Sequence, residues 1–280
     1  MQQINHSQMA ITSAEIVARR AHTLHRVRVF SPALCHVRQG SKLVQWGSQA
    51  ASAGQSTMIL FPAGIEVSIA NTPDRGHYCS DMVYLPPNLL RQFRQWYGAL
   101  AAAPTAATSL CVPLDTNTRR AWESLLLNLK NHAPDTLSQH SAMGVLLALH
   151  LAGHAGSLLI DRRDKLAEQV QQIILLDPAR NWSVSDVAQS LHIGDSTLRR
   201  KLMQEERQFR VILEEVRMGG ALHALQTTLL SIGEIAAQHG YISASRFTSR
   251  FQQHFGLTPS RLREAITKPV AQLKPAPEHL

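Results

Sequence analysis

Cysteine is scarce in this chain of 280 residues, which has three: Cys35, Cys79 and Cys111. An odd number with no paired metal-ligand spacing fits reduced, buried thiols better than a disulfide framework. Long apolar runs are also missing. The longest, such as Gly144 to Leu151, reach about half of what a membrane span needs. The amino terminus, MQQINHSQMAITSAE, lacks the charge-then-apolar order of a secretory leader. The chain is therefore expected to be soluble and cytoplasmic, with no membrane partner. Catalytic signatures are absent as well. The 14 histidines include no His-x-His pair and no His-x-x-x-His with a carboxylate on the expected strands. A metal-dependent enzyme is not expected, nor any metal or cofactor. Serine and histidine occur without a nucleophile-elbow glycine pattern, so hydrolysis has no foothold.

The chain does have an ordinary hydrophobic content of 44%, a net charge of +8 and a pI near 9.9. Its length and apolar content fit two domains, and its charge fits a polyanionic partner. The excess of basic residues is spread over both halves, so local clusters carry the information: Arg199-Arg200-Lys201, Arg246 with Arg250, and Arg261 with Arg263.

From about His22 to Leu85, short apolar alternations are cut by Gly, Pro, Asn and Asp, which predicts an antiparallel sandwich or small barrel. After Pro86-Pro87 the period becomes helical, with Leu89, Phe93, Trp96 and Leu100 on one side. Two further helices are expected at roughly Asn117 to Lys130 and Leu137 to His154. Trp46, Trp96, Trp122 and Trp182 are assigned to the core, Trp182 as a hydrophobic staple ahead of a helix. His36 and Arg38 are the candidates to meet an anionic effector in the β-region.

The second half repeats itself. Ser183-Val-Ser-Asp186 and Ser231-Ile-Gly-Glu234 both read as capping boxes, 48 residues apart. Each is followed by a tight turn and a second helix, in which a one-residue insertion makes the offset 49. A helical wheel puts Leu198 and Leu202 inward in the first copy and Phe247 and Phe251 inward in the second. Ser196, Thr197, Arg199 and Arg200 then face outward, as do Ser245, Arg246, Thr248 and Ser249. Lys201 and Arg250, nearer the buried edge, suit phosphate contacts. The paired helix-turn-helix pattern fits two readers of the major groove, with Arg200 suited to guanine. The connecting segment of about 18 residues makes a rod of ~27 Å, close to one DNA turn of ~34 Å once its end turns are added. Gly219-Gly220 inside this rod costs about 2 kcal/mol against alanine, so a close helix crossing or a bend is expected there.

The stretch WSVSDVAQSLHIGDSTLRRKL, with IGEIAAQHGY and SRFTSRFQQHFGLTPSRLR further on, resembles the DNA-binding domain of the AraC/XylS family of bacterial transcription regulators. The resemblance implies base contacts from the outward faces of both second helices, on Ser196, Thr197, Arg199 and Arg200 and on Ser245, Arg246 and Ser249. Two departures stand out. QEERQF, with Arg207, replaces a usual glycine between the first unit and the connector, and Ser249 stands where a basic residue is common. The first half, through SPALCHVRQG, FPAG and VYLPPNLLRQF, is similar to the family's cupin-like regulatory region.

The expected fold class is α+β: a cupin-like antiparallel β domain over residues 1–112 and a helical dimerisation or linker segment over 113–160. A DNA-binding domain with two helix-turn-helix units follows over 161–268, and a flexible tail over 269–280. The expected function is a sequence-specific transcription regulator, an activator, bound to promoter DNA in the nucleoid. Expected partners are a second copy of the chain, RNA polymerase and a small-molecule effector. The alternative is an adaptor that keeps the helix-turn-helix scaffold but regulates another transcription factor.

Overall fold

A computed structural model describes residues 10–97, 109–159 and 165–266 of the protein. Its amino-terminal part contains strands β1 (Thr12–Ala18), β2 (His22–Arg28), β3 (Ala33–Gln39), β4 (Ser41–Trp46), β5 (Gln49–Ala53), β6 (Thr57–Phe61), β7 (Glu66–Thr72), β8 (Tyr78–Tyr84) and β9 (Cys111–Pro113). Helices α1 (Pro87–Tyr97), α2 (Thr116–Lys130) and α3 (Asp135–Leu151) accompany them. The remainder is helical: α4 (Leu166–Leu175), α5 (Val184–Ser190), α6 (Asp195–Gln204), α7 (Phe209–Thr227), α8 (Ile232–Gln238), α9 (Ala244–Phe255) and α10 (Pro259–Ile266).

The strands form two antiparallel sheets, ordered β1-β8-β3-β6-β9 and β2-β7-β4-β5. Side-chain alternation explains the layering. On β3, Ala33, Cys35 and Val37 enter the core between the sheets, while Leu34 joins Met58, Leu60 and Val83 under α1–α3. The five-stranded sheet is covered on both faces, which is why MILF and VYL read as unbroken apolar runs. Two features differ from the sequence expectation. Strand β1 precedes His22 and pairs along its whole length with β8, from Thr12–Tyr84 to Ala18–Tyr78; its polar start, Thr12-Ser-Ala-Glu15, hides the alternation. Trp96 is 58% exposed. The stripe on α1 turns instead through Leu89, Leu90 and Phe93 to Tyr97, whose ring centroid lies 5.0 Å from that of Phe93. Leu100, the 160/161 boundary and the 269–280 tail lie outside the described residues.

Two cores divide the helical part. The first unit buries residues of α4, α5 and α6 with Ile212 and Val216, from the early turns of α7. The second buries the later turns of α7 with α8, α9 and α10, and its core is continuous with the space between the β-sheets. Gly219 and Gly220 lie where α7 passes from one core to the other. Added Cβ atoms there would come within 2.4 Å of the Phe30 ring and 2.7 Å of His239 Nε2. Close crossing on both sides, by a β2–β3 loop residue and by the end of α8, is therefore the reason for the pair. Among the described residues no helix is long and apolar enough to cross a membrane, and no group of three or more His, Cys, Asp or Glu residues is placed to hold a metal.

Candidate nucleic-acid interface and interdomain cavity

Each helix-turn-helix unit is built by the same local chemistry. Ser183 and Ser231 accept the N–H of Asp186 and Glu234, whose carboxylates accept the serine N–H at 2.8 and 2.7 Å. Bonds from the serine side chain and then its backbone hold both carboxyls below the usual range. The turns that follow need a left-handed residue: His192 at φ 55° in the first unit and Gly240 at φ 77° in the second. At the exit of the first unit the left-handed place is taken by Glu206, at φ 56°.

The residues of QEERQF that stand in place of a glycine have structural work. The Glu205 carboxylate caps α4, accepting the N–H groups of Leu166 at 2.6 Å and Ala167 at 2.9 Å. Arg207 pairs with the buried Glu215 of α7. These contacts set the first unit against the rod.

With Leu198 and Leu202 buried, Ser196, Arg199, Arg200 and Lys201 are exposed and Thr197 is half-buried. With Phe247, Phe251 and Phe255 buried, Ser245, Arg246 and Ser249 are exposed, while Thr248 and Arg250 are half-buried. Arg250 lies 3.8 Å from Glu214. Toward the end of α9, His254 and Phe255 face the β2 side, and an added Cβ at Gly256 would touch His25. In its amino-terminal half, Ser245, Arg246 and Ser249 are open to solvent.

A second feature escaped the sequence reading. A cavity of about 540 Å³ lies between the β-domain and helices α7 and α9. Its wall is mostly apolar, including Leu24, Val27, Ile69, Met82 and Leu222, and Lys42, Arg28, Glu215, His223 and His254 break it. Lys42 is only 3% exposed. Its ammonium donates to Asn71 Oδ1 at 2.8 Å and sits 5.4 Å from the Tyr78 ring centroid. Burial pushes its pKa down. Burial likewise lowers those of His223 and His254, and raises the Tyr84 phenol to about 12. No periodicity marks such a cavity. Lys42, in phase with Val44 on β4, was the available signal.

His36 and Arg38 lie elsewhere. His36 Nε2 is 3.1 Å from Gln55 O, and Arg38 pairs with Glu15 and, at 2.9 Å, with Asp81. Neither lines the interdomain cavity. Cys35, Cys79 and Cys111 are free thiols, two of them buried.

Residues 187–265 match a family model described as a helix-turn-helix domain. The HTH-type transcriptional regulator YdeO of Escherichia coli K12 is 37% identical over 94 residues, covering 34% of this chain and 37% of that protein. The transcriptional activator PerA of enteropathogenic E. coli is 33% identical over 96 residues, covering 34% and 35%. The match thus spans about a third of the length of these relatives. Over nearly the whole chain, the fold is that of ToxT from Vibrio cholerae in its unsaturated-fatty-acid-bound crystal structure. The TM-score is 0.66 at 14% identity, covering 95% of this chain and 98% of that one.

Proposed function

Because the chain carries a helix-turn-helix domain of the AraC/XylS type, we propose that it is a sequence-specific DNA-binding transcription regulator whose helices α6 and α9 read successive major-groove segments. The observation that carries this reading is the pair of solvent-facing polar surfaces at equivalent places in two repeated units. Ser196, Thr197, Arg199 and Arg200 on α6, and Ser245, Arg246, Thr248 and Ser249 on α9, are the base-facing set, with Lys201 and Arg250 on phosphates. Helix α7, 19 residues long, spans roughly 28 Å at the usual helical rise and sets the spacing. The experiment is a gel-shift titration over genomic fragments with Arg200→Ala and Lys201→Ala. Arg200→Ala is expected to cost about 1–3 kcal/mol on the preferred site and to relax base choice, and Lys201→Ala to weaken all duplexes alike and lower the salt slope. Weak, salt-erased binding by the unaltered chain would mark an adaptor instead.

The cavity supports control by a small molecule. The like-folded Vibrio protein binds an unsaturated fatty acid. The same ligand class fits here, with an apolar chain along the wall and a carboxylate restoring the charge partner that burial denies Lys42. Dimerisation through the helical segment is supported by the exposed Leu127, Leu137 and Leu151 of α2 and α3. Transcription activation through RNA polymerase and a cytoplasmic, nucleoid location complete the reading.

A further inference from the structure

The turns that lead into α6 and α9 differ by one residue, and the extra residue is Ile242. In the first unit α5 is capped at Leu191, His192 takes the left-handed conformation, Ile193 returns its N–H to Ala188 O at 3.0 Å, and Gly194 is the N-cap of α6. In the second, His239 caps α8, Gly240 is left-handed, and Tyr241 returns its N–H to Ala236 O at 2.9 Å. Tyr241 therefore holds the place of Ile193. It is half-buried, with its ring centroid 5.4 Å from that of Phe247. Then comes Ile242, and only after it Ser243, whose hydroxyl caps α9 by accepting the Arg246 N–H.

The inserted side chain joins no buried core among the described residues. Ile242 is wholly exposed, at 109%, and a branched apolar side chain held in water gains no burial energy. Its position does have a consequence. The opening residues of a reading helix are those that approach base edges in the major groove. Beside Ile242, the exposed face of α9 offers Ser245, Arg246 and Ser249, which are hydrogen-bonding groups. The major groove also carries one apolar mark, the C5-methyl of thymine, which an apolar side chain reads by contact. Helix α6 has nothing comparable, because Gly194 stands directly before it.

The geometry points to Ile242 as a specificity residue of the second unit, seating its side chain against a thymine methyl in the half-site read by α9. The proposal rests on the DNA-binding reading above. Division of labour follows from it: α6 discriminates by hydrogen bonds alone, and α9 adds apolar contact at its entrance to those of Ser245, Arg246 and Ser249.

The test uses the full chain and duplexes enriched by it from a random-sequence pool, at fixed salt. Within the α9 half-site, each thymine is replaced in turn by uracil, which deletes only the methyl. With the unaltered chain, one replacement is expected to weaken binding about three- to five-fold, the worth of one buried methyl group. Ile242→Ala should bind the thymine duplex weaker by a similar factor and be indifferent to that replacement, while Ile242→Val keeps most of the sensitivity. Uracil-insensitive binding by the unaltered chain overturns the proposal, as does uracil sensitivity that survives in Ile242→Ala. If the unaltered chain enriches no duplex at all, the DNA reading itself fails. Matching thermal melting curves for the variants establish that folding is intact.

Discussion

Replacing Gly219 by alanine tests how the regulatory part grips the rod between the two units. In an isolated helix the change stabilises by about 1 kcal/mol, because glycine has the larger conformational entropy to lose. Here the new methyl would lie 2.4 Å from Phe30 Cε2 and 3.3 Å from two further ring carbons. Phe30 cannot withdraw freely, since its ring also packs against the core of the first unit and walls the cavity. Overfilling a packed site costs about 1–3 kcal/mol, so the full chain is expected to lose about 1 kcal/mol net. In a Phe30→Ala background the obstacle is gone, and Gly219→Ala should then stabilise by about 1 kcal/mol. Urea unfolding of the four chains, followed by circular dichroism, gives the coupling directly, expected at about 2 kcal/mol and within the range for residues in contact. Equal stabilisation by Gly219→Ala in both backgrounds would show that Phe30 does not press on α7, and the account of the glycine pair would fall with it.

Three other outcomes follow from the same contacts. Lys42→Met replaces a buried ammonium by an apolar side chain of similar length. It also removes the donor to the buried Asn71 Oδ1, a loss of about 1–3 kcal/mol that offsets relief of the buried charge, and should weaken oleate binding about ten-fold or more by calorimetry; undiminished oleate affinity would remove Lys42 from the effector site. Glu205→Ala uncaps α4, whose own N-cap residue Lys165 makes no side-chain cap bond, and should cost about 1–2 kcal/mol in chemical denaturation, with Glu205→Gln intermediate. Burial holds His223, His239 and His254 below the ordinary histidine value of 6.5 in the folded chain. For His254, Arg26 acts in the same direction, and Glu215, Glu214 and Glu66 oppose it. The unfolded chain then takes up protons first, so this contribution is complete above about pH 6.5 and is lost as pH falls through the lower folded values. The melting temperature should drop between pH 7.5 and 5.5, with the buried His239 and half-buried His254 contributing more than His223, whose side chain reaches solvent; a flat profile would contradict the burial of His239 and His254.

What the sequence discloses here is what local periodicity and capping chemistry encode. Ser183 with Asp186 and Ser231 with Glu234 are short-range devices, and the inward Leu198/Leu202 and Phe247/Phe251 follow from the helical repeat, so both units were legible. The one-residue insertion was legible as an offset, but only the backbone bonds of Ile193 and Tyr241 identify Ile242 as the extra residue. On α1, period put Trp96 on the buried side, but the helix turns its stripe to Tyr97, which packs on Phe93, and leaves Trp96 exposed. The cavity was hidden for a different reason. Lys42 and Leu222 are far apart in the chain, and their meeting depends on how the β-domain docks on α7, a long-range outcome with no local signature.

That docking gives the two units unequal standing. The second shares a continuous core with the β-sheets, and the backbone N–H groups of Arg19 and Arg20 add bonds to Ala265 O of α10 at 2.7 and 3.2 Å. The first unit has a core of its own and joins the rest along α7, with Phe30 as the β-domain side chain packed against it. Gly219, Gly220 and His223 of α7 line the cavity together with Phe30. An occupant of the cavity therefore touches the rod where it leaves one core for the other, and touches the residue that braces the first unit. Were the docking to have two discrete arrangements, a ligand that binds one of them better would shift the equilibrium between them by its difference in affinity, and with it the angle between α6 and α9. On the proposed reading, in which both helices enter one duplex about a turn apart, a small change at Gly219 reaches DNA binding through geometry, without contact between ligand and DNA.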